Sequence, residues 1–269
     1  MNMSASYWRH GSGPVRVIVL HGWFVGSRVF EAMLPALDPD RFSLAFIDYR
    51  GYGVALMAAG PFDVETIASD VASIANELGW SRFAVVGHSM GGKVALRVAV
   101  DLGSRVTQIL AITPVFADPA PFDSDAVALF RSAVRDASAR EAILSHSTGG
   151  LLPAHWSKQM AATSFETSTE EAFAAYFESW ALSDFSKEIE GLPQDVLALA
   201  GEHDEGVTEA AVKASWIAKL PNARFHRVAS SGHYPMLETP IRLATVFEQF
   251  LRPTDDAALG SQLLSASRG

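Results

Sequence analysis

Residues 83–92, Phe-Ala-Val-Val-Gly-His-Ser-Met-Gly-Gly, constrain this chain more than any other stretch. An apolar run typical of a buried strand ends at Gly87, Ser89 falls at the corner, and an alanine- and valine-rich helical stretch starts directly behind it. A strand that turns this sharply into a helix holds the corner residue in a strained backbone conformation and leaves its hydroxyl exposed, the layout of a nucleophile elbow. Residues two places to either side have to lack a side chain, because strand and helix pass too close for a Cβ. Gly87 and Gly91 meet that need. The start of the helix also turns free N–H groups and the positive end of its dipole toward the corner. A bare Gly-x-Ser-x-Gly arises by chance in roughly one chain of this composition in seven, so the flanking strand and helix carry the reading.

The chain has 269 residues, 49% of them hydrophobic, enough for a large core and most simply one domain with an insertion. Its formal charge of −9 argues against nucleic acid or an anionic membrane as partner. No apolar run approaches the ~20 residues of a membrane span. Residues 1–6 lack the basic and apolar regions of a secretory signal, so a cytoplasmic location is expected. The absence of cysteine excludes a disulfide scaffold, a thiol nucleophile and thiolate metal sites. No histidines or carboxylates are paired at ligand spacing, so metal dependence is not expected; no cofactor is expected either.

Along the chain, Val15–Leu20 and Ser43–Asp48 are β-branched and apolar runs suited to strands buried on both faces. One further strand, near Ser6–His10, fits before them. Asp63 caps a helix to about Leu78 with apolar positions at Val64, Ile67, Val71, Ile74 and Leu78. After the elbow come a strand at Val106–Thr113 and, much later, one at Asp195–Ala200. A helix near Thr208–Leu220, a strand at Arg224–Val228 and a helix from Pro240 to about Leu251 complete the pattern. Alternation at these spacings predicts a mostly parallel twisted sheet with helices on both faces. The loops at His21–Phe24, Ser89, Asp204 and His233 all follow strands and gather on the edge where such sheets bind ligands. Residues 115–192 interrupt the alternation with helical patterns alone and are expected to form an inserted helical cap, leaving 1–114 and 193–269 as the core. The alanine- and serine-rich stretch 253–269 reads as a short helix or loose tail.

Serine attacks a carbonyl only when a base takes its proton, and the base has to be oriented by an acid. Of the eight histidines, His233 follows the last strand in a rigid Ser-Gly-His-Tyr-Pro turn and is the candidate base. Asp204 ends the strand-turn segment Ala200-Gly201-Glu202-His203-Asp204, one helix-plus-strand unit earlier, and is the candidate acid. Glu202 is the near alternative and Asp118 the remote one. The developing oxyanion needs two fixed N–H donors: Met90 supplies one, and the His21-Gly22-Trp23-Phe24 loop the other, through Trp23.

Taken with Asp48-x-Arg50-Gly51-x-Gly53 and Glu238-x-Pro240, these segments resemble the α/β-hydrolase superfamily from Val15 to Leu251, and the His-Gly-Trp and Ser-Met-Gly-Gly pieces resemble its esterase and cofactor-free haloperoxidase (perhydrolase) branch. The chain order Ser…Asp…His is that of this fold. The resemblance implies an α/β-hydrolase fold, in which the short N-terminus leaves a first edge strand missing or trimmed, and a serine hydrolase acting on carboxylic esters through an acyl-enzyme on Ser89. His21, Arg50 and His88 then read as structural. Aromatic residues of the cap and loops, with Phe24, Trp156, Trp180 and Tyr234 the candidate wall, fit small to medium hydrophobic substrates. Lactone, thioester, C–C bond or peracid chemistry can use the same triad, and a ligand receptor can keep it without turnover. A small ester-like molecule is the expected partner, and oligomeric state is open.

Overall fold

The computed structural model describes residues 5–253, so the 254–269 tail lies outside the described residues. Seven strands form one sheet: β1 (Ser6–His10), β2 (Val15–Leu20), β3 (Phe42–Asp48), β4 (Phe83–His88), β5 (Val106–Ile112), β6 (Asp195–Gly201) and β7 (Ala223–Val228). Their order is β1-β3-β2-β4-β5-β6-β7, with β1 antiparallel to β3 and all other neighbours parallel. Every residue of β3 and β4 is buried, as it has to be when both faces of a sheet are covered. The edge strand β7 exposes Arg224, His226 and Arg227, and such polar and charged side chains discourage further strand pairing.

The helix α1 (Val64–Glu77) starts where Asp63 accepts the Thr66 N–H at 2.6 Å and buries Val64, Ile67, Val71 and Ile74. It packs beside α2 (Met90–Leu102), the helix behind the elbow. Two elements depart from regular α-helical geometry. Ser27–Ala36 is a 3₁₀ helix containing Pro35, whose three-residue repeat leaves no amphipathic α pattern. The expected helix at Thr208–Leu220 is a single α turn, α7 (Glu209–Val212), running into a π turn at Lys213–Ile217 that tucks Trp216 completely inside. The described residues close with α8 (Pro235–Glu238) and α9 (Pro240–Phe250), each with proline in its first turn, where a missing N–H costs nothing.

Between β5 and β6 lie four helices and no strand: α3 (Ser124–Ser132), α4 (Ala137–Ser147), α5 (Ala154–Thr167) and α6 (Glu170–Leu182). Asp123, Asp136 and Thr169 cap three of them through their side chains. Their interior holds Phe173, Tyr176, Phe177 and Trp180, all buried, whereas Leu151 and Phe165, which are large and apolar in sequence, are exposed. Arg140 is fully buried, its guanidinium stacked between the rings of Phe165 and Phe173 at 3.6 and 3.7 Å. It donates to the Ala133 and Val134 carbonyls and to Ser164 Oγ, satisfying the open end of α3.

Candidate functional site

The turn between β4 and α2 is as tight as the glycines imply. Ser89 sits at φ 54°, ψ −117°, a strained conformation for a residue with a side chain. A Cβ on Gly87 would lie 2.1 Å from the Gly91 carbonyl oxygen, and one on Gly91 within 2.8 Å of the carbonyl oxygens of Leu20 and His21. The strain is held by backbone bonds: the Ser89 N–H donates to Ile112 O, and its carbonyl accepts from Gly92 and Val115. Ser89 itself is half-buried, while its neighbours His88 and Met90 are buried.

His233 and Asp204 are brought together as the spacing predicts. His233 Nδ1 lies 2.7 Å from Asp204 Oδ2, and the Asp204 side chain is fully buried. A carboxylate can only accept, so Nδ1 carries the ring proton and the neutral ring keeps its lone pair on Nε2. The other carboxylate oxygen, Oδ1, accepts the Gly206 and Val207 N–H groups at 2.9 and 2.8 Å, which fixes the rotamer. Neither alternative acid reaches His233. Glu202 accepts the Ser230 N–H at the surface, and Asp118 pairs with Lys219.

The His233 backbone is clamped from four sides. Its carbonyl accepts from His88 Nε2–H at 2.9 Å and from Thr113 Oγ–H at 3.0 Å, and its N–H donates to Ser147 O at the end of α4. Glu238 takes the N–H groups of Gly232 and Tyr234, on either side of His233, with its two oxygens at 2.7 and 2.9 Å. Glu238 was legible only as part of a motif; its clamping role needs the fold. His88 is held neutral by burial, which pushes its pKa well below the usual histidine value, and it ties the elbow to the His233 loop.

The loop after β2 lies against the elbow. A Cβ on Gly22 would be 2.7 Å from His88 Nδ1 and 3.2 Å from Ser89 Cβ, so Trp23 follows directly beside the corner. Trp23 is fixed at both ends: its carbonyl accepts from Tyr52 Oη–H at 2.5 Å and its indole N–H donates to Phe173 O at 2.7 Å. Its backbone N–H has no acceptor among the described residues, and that of Met90 opens α2, where no intrahelical acceptor exists. Two free amides thus flank Ser89. His21, pushed down to about 4 by burial, donates Nδ1–H to Gly22 O and stacks on Tyr49, while Arg50 forms a two-pronged pair with the buried Asp70.

Two aromatic groups border this edge. Phe24 and Trp180 belong to the cluster around Trp23, with Phe173 stacked on it at 4.0 Å and Trp180 edge-on at 5.9 Å. Trp156 meets Tyr234 edge-on at 5.6 Å, beside His233. A separate open cleft of about 690 Å³ between α3 and α6 is lined by none of Phe24, Trp156, Trp180 and Tyr234, and its rim carries the ion pairs Arg131–Glu178 and Arg135–Glu170. No cluster of three or more His, Asp or Glu side chains arranged to hold a metal ion occurs among the described residues, and none of their helices is long and apolar enough to cross a membrane.

A serine on a strained strand-to-helix corner, a His–Asp pair on the same sheet edge and free amides beside the serine occur together in a mostly parallel, doubly wound α/β protein. The chain belongs to the alpha/beta hydrolase fold family, whose model matches residues 15–240. It is 27% identical over 251 residues to a pimeloyl-[acyl-carrier protein] methyl ester esterase of Nitrosomonas europaea, covering 88% of this chain and 96% of that one. An esterase from Exiguobacterium antarcticum superposes with a TM-score of 0.82 at 19% identity, covering 91% of this chain and 94% of that one. A bromoperoxidase from Bacillus anthracis does so at 0.79 and 20%, with the same coverage. Family and relatives together support a hydrolase.

Proposed function

We propose that the protein is a serine hydrolase that cleaves carboxylic esters of small to medium hydrophobic substrates. The observation that carries the reading is the 2.7 Å contact between His233 Nδ1 and the buried Asp204, on the edge where Ser89 is presented. In this reading His233 Nε2 takes the Ser89 hydroxyl proton as Oγ attacks the ester carbonyl, and Asp204 stabilises the imidazolium that forms. The Trp23 and Met90 N–H groups hold the oxyanion. The C–O bond to the alcohol breaks, the alcohol leaves with the proton from His233, and an acyl-enzyme remains on Ser89. Water, deprotonated by His233, then attacks the acyl carbonyl and releases the acid and the free serine.

The 115–192 insertion, which carries helices α3–α6, acts as a cap over this edge, and Phe24, Trp156, Trp180 and Tyr234 form the wall that receives the acyl or alcohol group. Support comes from the two aromatic groups flanking the elbow and from the esterase among the relatives. Turnover of p-nitrophenyl esters of graded chain length, with Ser89→Ala alongside, tests the assignment. Loss of Ser89 should lower kcat by a factor on the order of 10⁴–10⁶. More than about a tenth of the activity left in Ser89→Ala, or no turnover of any ester by the wild type, would overturn it.

A further inference from the structure

Lys93 stands on α2, one turn behind Ser89, and its side chain is fully buried although no carboxylate is bonded to it. Its ammonium donates three hydrogen bonds, all to backbone carbonyls: Asp118 O at 3.0 Å, Trp180 O at 2.9 Å and Ser183 O at 2.6 Å. These acceptors are not neighbours in sequence. Asp118 lies on the arm leading from β5 into the four-helix insertion, whereas Trp180 and Ser183 end α6 on the arm leading back. The two arms also bond each other, Ala120 N–H to Ala181 O and Phe185 N–H to Ala117 O. Arg97, one turn further along α2, holds the returning arm through Glu188 and lies over the Phe185 ring.

An ammonium has three N–H donors and no acceptor, so Lys93 is saturated by this neck. The two α6 carbonyls are among the groups a helix leaves without partners at its C-terminus, where a positive charge is favoured. The same helix carries Phe173, Phe177 and Trp180 onto Trp23, whose indole N–H is bonded to Phe173 O. One rigid element therefore connects Lys93 to the aromatic cluster beside Ser89.

We propose that Lys93 is a positioning and specificity-determining residue: it pins the neck of the insertion to the helix behind Ser89 and so sets how deep an acyl group the α6 wall accepts. The inference rests on the esterase reading for its substrate class, but the pinning does not. Without the ammonium the end of α6 is free to shift, and α6 carries Phe177 and Trp180 with it. A polar side chain buried by evolution at a desolvation cost needs such a return, since a methionine would fill the same volume.

The test uses the full chain with Lys93→Met, which keeps an unbranched apolar stem and removes the donors, and Lys93→Arg, which keeps a cation. KM and kcat are measured for p-nitrophenyl esters from acetate to decanoate, and amide hydrogen exchange is followed over residues 117–122 and 181–186. For Lys93→Met, KM for the longer esters should change about tenfold relative to that for acetate, the scale of a one-methylene misfit in an apolar pocket. The change in kcat should be smaller, exchange in both arms should accelerate, and Lys93→Arg should restore the chain-length ratio in part. A folded Lys93→Met protein with unchanged chain-length ratio and unchanged exchange would overturn the proposal. If Lys93→Met does not fold, Lys93→Gln, with two donors for three carbonyls, is read by the same two criteria. If the wild type cleaves no ester the esterase reading fails, and the exchange data still decide whether Lys93 pins the neck.

Discussion

Asp204→Asn isolates the part of the site that depends on proton position. Asp204 Oδ1 is committed to the N–H groups of Gly206 and Val207, and Oδ2 to His233. Asparagine matches this outline but can flip in only one useful way. Turning its NH₂ toward the two turn amides would forfeit two hydrogen bonds, each worth about 1 kcal/mol, and set donors against donors. The amide oxygen therefore stays on the turn and the NH₂ faces His233 Nδ1. That nitrogen must then accept, which moves the ring proton to Nε2, the nitrogen that has to take the serine proton. The expected loss in kcat is about 10⁴-fold, or about 5.5 kcal/mol in the barrier, with KM nearly unchanged and the turn intact. The assay is steady-state hydrolysis of p-nitrophenyl butyrate, with near-UV circular dichroism to confirm packing. Glu202→Gln, on the same loop but at the surface, is the control and should stay within about twofold. A folded Asp204→Asn enzyme keeping more than a tenth of wild-type kcat would refute the tautomer argument.

Gly22→Ala should lower kcat about 10²-fold with the fold retained, because the new Cβ would meet His88 Nδ1 at 2.7 Å and push the Trp23 amide off its position; steady-state kinetics with a melting curve decide this, and unchanged kcat would count against Trp23. Ser89→Gly should raise stability by about 1 kcal/mol while abolishing hydrolysis, since glycine adopts φ 54° without strain; urea denaturation reads the gain, and a loss of stability would mean the corner is unstrained. His21 should make stability pH-dependent. Burial lowers its pKa from 6.5 to about 4, so the unfolded chain binds the proton first and stability falls as pH drops from about 6.5 to about 4. A melting temperature flat across that window, or no shallower in His21→Asn, would contradict this.

The parts of the fold governed by local rules were readable in the chain. Gly87 and Gly91 told of the close approach, Asp63 of a helix start, and the β-branched runs of buried strands. His233 and Asp204 are legible as neighbours because each sits in a loop that follows a strand of a doubly wound sheet, and that topology brings such loops to one edge. What stayed hidden depends on distant partners. Nothing near Lys93 or Arg140 in sequence says that either is buried, because the oxygens they donate to, mostly backbone carbonyls, are brought around them only when the helices assemble. The backbone clamp around His233 draws on His88, Thr113, Ser147 and Glu238 from four separate segments. The 3₁₀ helix at Ser27–Ala36 and the π turn after α7 lack the 3.6-residue period that marks an α-helix.

The central claim is that Ser89 is the nucleophile, and covalent trapping tests it most directly. The protein is treated with a p-nitrophenyl alkylphosphonate, digested and sequenced by tandem mass spectrometry. The account predicts one equivalent of p-nitrophenolate released, a single phosphonylated residue at Ser89, and much slower labelling in Asp204→Asn. A label on another residue, or esterase activity that survives full labelling of Ser89, would contradict it.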